Sequence, residues 1–416
     1  MPQLPPSLAW FARHGWGLAV GGTVLLATLI ALHPYTMPMR YPLLDMVDLR
    51  TYRDGGQAIL SGTPLYTLAS GGYKLAFVYT PFAALVFVPL AWVPWWLVDL
   101  LAPMAQLLLF AWTIWVALRA LGHLDGRQLR YATLGLAAVF LFLEPVLLTL
   151  CFGQINIALM ALILWDLGIA RTPRWQRWQG AAVGIAAGIK LTPGIFIIYL
   201  LCTRRPRAAV VATLALAGTV ALGFLVAPAD SLQWWTGTFA HASRIGEYGT
   251  CVNQSLSGLV TRLTHESRPA QLPWLLLCLA TAGVGLTTAA AVHRAGHTLL
   301  GITLCGLTGT MVSPFSWTHH WVWLVPLAIV ALHHAEEFPR TTRRALFGAF
   351  AVCTLAWPIG FVTGRHMPDM FGLFAIGSWH GLELVYHNTF ILLYAVVLTW
   401  GRRWSFRAQP SVPAPA

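Results

Sequence analysis

Stretches of 17 or 18 residues without an ionised side chain recur along the chain, at 16–32, 210–227, 299–315 and 346–363. A helix needs about 20 mostly apolar residues to cross the hydrocarbon core of a bilayer, so each stretch predicts a membrane crossing. Between them arginines gather in clusters: Arg119/Arg127/Arg130, Arg171/Arg174/Arg177, Arg204/Arg205/Arg207, Arg340/Arg343/Arg344 and Arg402/Arg403/Arg407. Basic residues mark the cytoplasmic ends of membrane helices. Together with Arg13 and Arg294, the rule places 17 of the 26 lysines and arginines inside. Asp45, Asp48, Asp54, Asp230, Glu247, Glu266, Asp369 and Glu383 all fall outside on the same scheme.

The same rule resolves two ambiguous stretches. Residues 79–118 run from an outer loop to an inner arginine cluster, so they cross an odd number of times. Pro81, Pro89 and Pro94 interrupt the first half, because proline removes a helix donor and clashes with the preceding turn. We read 79–94 as a helix lying at the outer interface and 96–118 as the crossing. Residues 180–202 have arginines on both sides, so they cross an even number of times in only 23 residues. A break at Lys190-Leu-Thr-Pro193 predicts two half-length helices meeting at an outer apex. Irregular backbone at membrane depth is tolerated only where protein or a water-filled cavity surrounds it, which makes the break a candidate site.

The expectation is an all-α integral membrane protein of about twelve transmembrane segments, both termini cytoplasmic, forming a single domain over 1–408. The long outer loops are 34–78, carrying interfacial helices, and 228–273; shorter ones lie around 313–320 and 364–382. Residues 409–416 (Gln-Pro-Ser-Val-Pro-Ala-Pro-Ala) read as a disordered cytoplasmic tail.

Composition agrees. The 416 residues are 57% hydrophobic and 10% charged, with a mean hydropathy of +0.66, against roughly 25% charged residues in a soluble domain. The +12 formal charge is explained by the cytoplasmic arginines and does not imply nucleic acid. Six scattered cysteines with no CxxC indicate neither a disulfide framework nor a zinc site. The stretch 16–32 is too long for a signal-peptide core and reads as a retained first helix.

The chemistry-bearing residues gather on the outer side. Asp45, Asp48, Arg50, Tyr52, Arg53 and Asp54 lie in the first loop. Asp48 and Tyr52 share a face if 47–60 is helical, and Gly62 and Pro64 end that helix. The plainer alternative is a solvated loop with an Arg50–Asp54 pair. Lys190 is a lone cation in an apolar run, which is costly in a membrane and marks function; the alternative is a snorkelling lysine. Gly153-Gln154-Ile155-Asn156 predicts a tight outer turn. Asn253-Gln254-Ser255 offers amides able to bond hydroxyls, and Ser313-Pro-Phe-Ser-Trp317-Thr-His319-His320 offers an indole and two imidazoles. Glu144 sits near the outer end of its helix and could face the same cavity.

The ordered set Asp48-Leu-Arg-Thr-Tyr52, Gly62-x-Pro-Leu-Tyr66, Tyr79-Thr-Pro-Phe, Gly153-Gln-x-Asn156, Gly-x-x-x-Gly-x-Lys190-Leu-x-Pro193, Asn253-Gln-Ser255 and Ser313-Pro-x-Ser-Trp-x-His-His320 resembles glycosyltransferase family 87, over roughly 45–330. Thr80 stands where that family often has the first of two prolines. Within the family, the pattern looks most like the actinobacterial mannosyltransferases of phosphatidylinositol mannoside synthesis. The resemblance implies a GT-C fold, a polyprenyl-phosphate-mannose donor (a substrate, not a cofactor), a glycolipid acceptor at the bilayer, and inverting formation of an α-1,2 bond. On this reading Asp48 is the catalytic base, and Lys190 with His319 and His320 binds the donor phosphate without a metal. Tyr52, Gln154, Asn156, Asn253, Gln254 and Trp317 bind sugar or acceptor. A related arabinofuranosyl- or glucosyltransferase is the alternative enzyme. A lipid or anion transporter is the rival class, disfavoured by the carboxylate-rich outer loop and the lack of an evident repeat.

Overall fold

A computed structural model describes residues 5–36, 44–70, 75–122, 126–169, 173–240, 245–356, 371–376 and 381–404. The expected tail at 409–416 lies outside the described residues. Among the described residues the regular structure is helical apart from one short hairpin, Ala69–Ser70 (β1) with Leu75–Ala76 (β2).

Helix α1 spans Pro6–Thr36 and packs along α5, Gly126–Phe140. Between them come α2 (Val47–Ser61), α3 (Pro81–Trp92) and α4 (Trp95–Leu121). Helix α2 ends as expected at Gly62, whose positive φ of 70° lets its N–H bond the Ala58 carbonyl. The expected break after the interfacial helix falls at Val93-Pro94, where Pro94 cannot continue the ladder. Helices α6 (Glu144–Phe152) and α7 (Asn156–Leu164) are bent by 117° across the Gly153 turn.

The stretch 180–202 is broken as the prolines and glycines predict. Helix α8 is a short turn at Pro173–Gln176, followed by α9 (Ala181–Ile189). Lys190 then turns extended, Thr192–Gly194 forms a 3-10 turn, and α10 runs Ile195–Cys202. Helix α11 (Pro206–Val226) packs against α9 so closely that a Cβ on Gly184 would lie 2.2 Å from the Ala212 carbonyl oxygen. The segment between α11 and α14 contains α12 (Pro228–Thr236) and α13 (Leu256–Thr264). Then come α14 (Gln271–Arg294), α15 (Thr298–Val312), a 3-10 turn at Thr318–Trp323, α16 (Leu324–His333) and α17 (Arg340–Thr354). The described chain closes with α18 (Glu383–Tyr386) and α19 (Thr389–Trp404), the latter packed on α14 and α15.

Four helices, α1, α4, α11 and α14, are long and apolar enough to cross a membrane alone, and the bent α6–α7 pair makes a fifth candidate among the described residues. Their outward faces are apolar: Trp16, Leu108, Leu225 and Leu279 are between 67% and 79% exposed, which suits lipid and not water. The chain is an all-α, multi-pass membrane protein. The apolar stretch 346–363 is not one helix: α17 ends at Thr354, where Leu355 bridges to Leu143. Residues 357–363 lie outside the described residues.

Candidate active site

Helix α2 turns Asp48 and Tyr52 to the same inner face, as their four-residue spacing predicts. Gly56 on that helix lets α3 approach, since a Cβ there would lie 2.6 Å from the Phe87 carbonyl oxygen. Tyr52 is buried and stacks on Phe87 with centroids 4.4 Å apart. Its hydroxyl donates to Gln154 Oε1 at 2.8 Å and lies 2.8 Å from the Tyr79 hydroxyl, itself 3.4 Å from the same Oε1. Two hydroxyls on one carbonyl oxygen fix the amide's orientation. Its remaining donors are left for Asp48, whose carboxylate Gln154 hydrogen-bonds.

Burial pushes the Asp48 carboxyl up to about 6; the Gln154 bond and the Lys190 charge hold it from going higher. Burial disfavours the ionised form while a nearby cation favours it. The result is a carboxylate ionised near neutrality and more basic than a solvated one. Asp45 and Asp54, on the same helix or its approach, are half-buried, as Asp48 is by residue exposure. The Arg50–Asp54 pair of the plainer alternative is not formed: the Arg50 guanidinium lies 4.1 Å over the Trp95 ring instead.

Lys190 arrives from the break between α9 and α10. Its Nζ donates to Asn156 Oδ1 at 3.0 Å and to His320 Nε2 at 3.0 Å, and sits 5.8 Å over the Tyr79 ring. Asn156 bridges, because its Nδ2 also donates to the His319 carbonyl at 3.1 Å, where Thr149 Oγ1 donates too. Thr80 caps α3 through Ala83 and donates its hydroxyl to the Gly188 carbonyl, tying Tyr79 to the end of α9. Burial, and then the Lys190 charge, hold both imidazoles well below the ordinary histidine range. Neutral His320 can therefore accept from Lys190. His319 Nε2 is buried with no partner among the described residues, its ring stacked on Trp317.

A narrow cleft opens from Lys190, Asn156 and His320 and is lined further on by Leu159, Met160, Ile163, Phe196 and Trp323. One end is cationic and polar and the rest chiefly apolar, the complement of a phosphate on a hydrocarbon chain. Asp48, Tyr52 and Gln154 are not part of this lining, although the Lys190 charge reaches Asp48.

Asn253 and Gln254 do not join the cluster. Both are fully buried and spent on protein contacts. Asn253 donates to the Tyr248 carbonyl and accepts from Ser255 Oγ and the Ser316 N–H. Gln254 donates to the Cys251 and His387 carbonyls and accepts from the Phe390 N–H. A sugar-binding role for these amides does not fit this placement; they brace the strip that carries His319 and His320. Glu144, also buried, accepts from Thr318 in that strip and does not line the cleft. Tyr79 is the member that sequence reasoning left out of the site, although it stood in the Tyr79-Thr-Pro-Phe motif.

A model of glycosyltransferase family 87 matches residues 77–314, taking in Tyr79, Gln154, Asn156 and Lys190. The chain is 36% identical over 303 residues, 68% of its length and 69% of the relative's, to the polyprenol-phosphate-mannose-dependent alpha-(1-2)-phosphatidylinositol mannoside mannosyltransferase of Mycobacterium tuberculosis. The protein of the same description in Mycolicibacterium smegmatis is 36% identical over 337 residues, covering 75% of this chain and 76% of its own. A phosphatidylinositol pentamannoside mannosyltransferase of M. tuberculosis is 34% identical over 292 residues, covering 68% of this chain and 66% of its own. No solved structure matches. On the family match and on relatives aligned over two-thirds of its length, the chain belongs to glycosyltransferase family 87.

Proposed function

We propose that this glycosyltransferase moves mannose from a polyprenyl-phosphate-mannose donor to a phosphatidylinositol mannoside, forming an α-1,2 bond with inversion on the extracytoplasmic face of the cytoplasmic membrane. The observation that carries the reading is what meets at Lys190: the cation lines a largely apolar cleft, and its charge reaches a carboxylate whose pKa burial has raised. The relatives named for this reaction supply the sugar and the acceptor class.

The donor lipid lies in the cleft with its phosphate against Lys190 and the N–H groups of His319 and His320. An acceptor hydroxyl oxygen attacks C1 of the mannose from the face opposite the phosphate. The C1–O bond breaks with its electron pair leaving on the phosphate, where a preorganised cation stabilises the growing charge. The hydroxyl proton passes to Asp48. One displacement inverts the anomeric centre and needs no covalent intermediate. Gln154 and Tyr52 act on Asp48, and Asn156 on Lys190, while Trp317 lies beside the sugar.

The domain comprises twelve segments: α1, α4, α5 with α6, α7, α9, α10, α11, α14, α15, α16, α17 and α19. Helices α9 and α10 form a re-entrant pair, α2 and α3 lie at the outer interface, and both termini are cytoplasmic. The test is incubation of purified protein with radiolabelled mannosyl-phospho-polyprenol and a phosphatidylinositol mannoside. Label should enter the glycolipid and be released by an α-1,2-mannosidase. Transfer from glucosyl- or arabinofuranosyl-phospho-polyprenol instead would reject the mannose assignment.

A further inference from the structure

The opposite face of α2 presents two guanidinium groups with no carboxylate on them among the described residues. Arg50 and Arg53 are three residues apart and so share a side of the helix. They point roughly 140–160° away from Asp48 by helical geometry. Arg50 lies over the Trp95 ring and, among the described residues, donates only from Nε, to the Asp45 carbonyl at 3.5 Å. Arg53 donates from Nε to the Leu90 carbonyl at 3.2 Å and from Nη2 to the Val93 carbonyl at 3.4 Å. The ion pairs among the described residues, Glu336–Arg343 and His334–Glu337, lie elsewhere. Each guanidinium carries five N–H donors, so most of the ten remain for a ligand.

The surroundings say what kind of ligand. Trp92 and Trp96 flank the α3–α4 break and are 70% and 68% exposed. Exposed indoles at a helix end mark the headgroup level of a bilayer. Paired guanidiniums at that level fit a phosphate, whose oxygens match the arginine fork.

The geometry points to Arg50 and Arg53 as the site for the phosphodiester of the acceptor glycolipid, with its sugars passing around α2 to Asp48. The inference rests on the reading above, in which the donor phosphate occupies Lys190 and the acceptor carries the second phosphate. An α-helix with its side chains is about 10 Å across, which a chain of several sugars spans. This phosphate neither gains nor loses charge in the reaction. Binding it therefore lowers KM without raising kcat.

The test compares two acceptors ending in the same mannose, one phosphatidylinositol-linked and one octyl-linked without phosphate, in phosphatidylcholine nanodiscs. The double variant Arg50→Gln/Arg53→Gln should raise KM for the phosphatidylinositol-linked acceptor about tenfold or more, with kcat within about threefold. Turnover of the octyl mannoside should stay unchanged. Because Arg53 also holds the end of α3, Arg50→Gln alone is measured beside it and should show a smaller shift of the same kind. Equal losses on both acceptors would mean a structural role and overturn the proposal, as would an unchanged KM. A loss seen only after phosphatidylglycerol is added would assign the arginines to bulk lipid and overturn it too. Failure of wild-type protein on both acceptors would instead reject the transferase reading itself.

Discussion

Asp45, Asp48 and Asp54 compete for the role of base, and only Asp48 has the surroundings for it. Gln154 donates to it, two tyrosine hydroxyls fix that amide, and the Lys190 charge reaches it. Asp48→Asn should lose about 10²–10⁴-fold in turnover, the usual contribution of a general base, whereas Asp45→Asn and Asp54→Asn should retain most of it in the same transfer assay. The pH profile follows from the direction of the shift. Below about pH 6 Asp48 is protonated and cannot accept the hydroxyl proton, so kcat/KM should fall on an acid limb centred near 6. Lys190 lowers the Asp48 pKa, so in Lys190→Met the residual activity should show that limb at higher pH. A limb that stays put would separate Asp48 from Lys190. Gln154→Leu should lower kcat more than it raises KM, as expected of a residue that positions the base and does not hold substrate.

Among the elements, the broken α9–α10 pair depends on close packing by small residues. A Cβ on Gly188, two residues before Lys190, would lie 2.2 Å from Thr219 Oγ1 on α11. Gly188→Val should cost about 1–3 kcal/mol by overpacking, read as a lower unfolding midpoint in detergent, with loss of donor binding because the apex shifts. These elements were legible in the sequence because their signals are local. The proline and glycine punctuation placed the α3–α4 break, the α2 terminus and the Lys190 apex near where the structure has them. Partner choice was less legible. Nothing in the sequence tells Arg50 to prefer the Trp95 face over Asp54, or says that Asn253 and Gln254 turn into the protein. Amides suit hydroxyl ligands and backbone groups equally well. The apolar stretch 346–363 was read as one crossing although it contains Pro358, whose ring opposes the carbonyl four residues back, at the helix end Thr354. Thr80, read as a minor departure from the family's prolines, instead caps α3 and bonds the end of α9.

For the molecule as a whole, the 17 basic residues assigned to the cytoplasm predict an asymmetric chain. In a background without the six native cysteines, a cysteine at exposed Gln57 should react with an impermeant maleimide in intact cells. One at exposed Arg127 should react only after permeabilisation. Protection of Gln57→Cys would reverse the topology and put the site on the wrong side for a donor presented outside. The central claim is that one site divides two tasks, phosphate binding at Lys190 and proton removal at Asp48. The most direct measurement is donor-lipid affinity and mannosyl turnover, determined side by side for Asp48→Asn and Lys190→Met in one reconstituted preparation. The account predicts that Asp48→Asn binds donor as wild type does but barely turns over, while Lys190→Met loses donor affinity. Wild-type turnover in Asp48→Asn, or wild-type donor affinity in Lys190→Met, would contradict it.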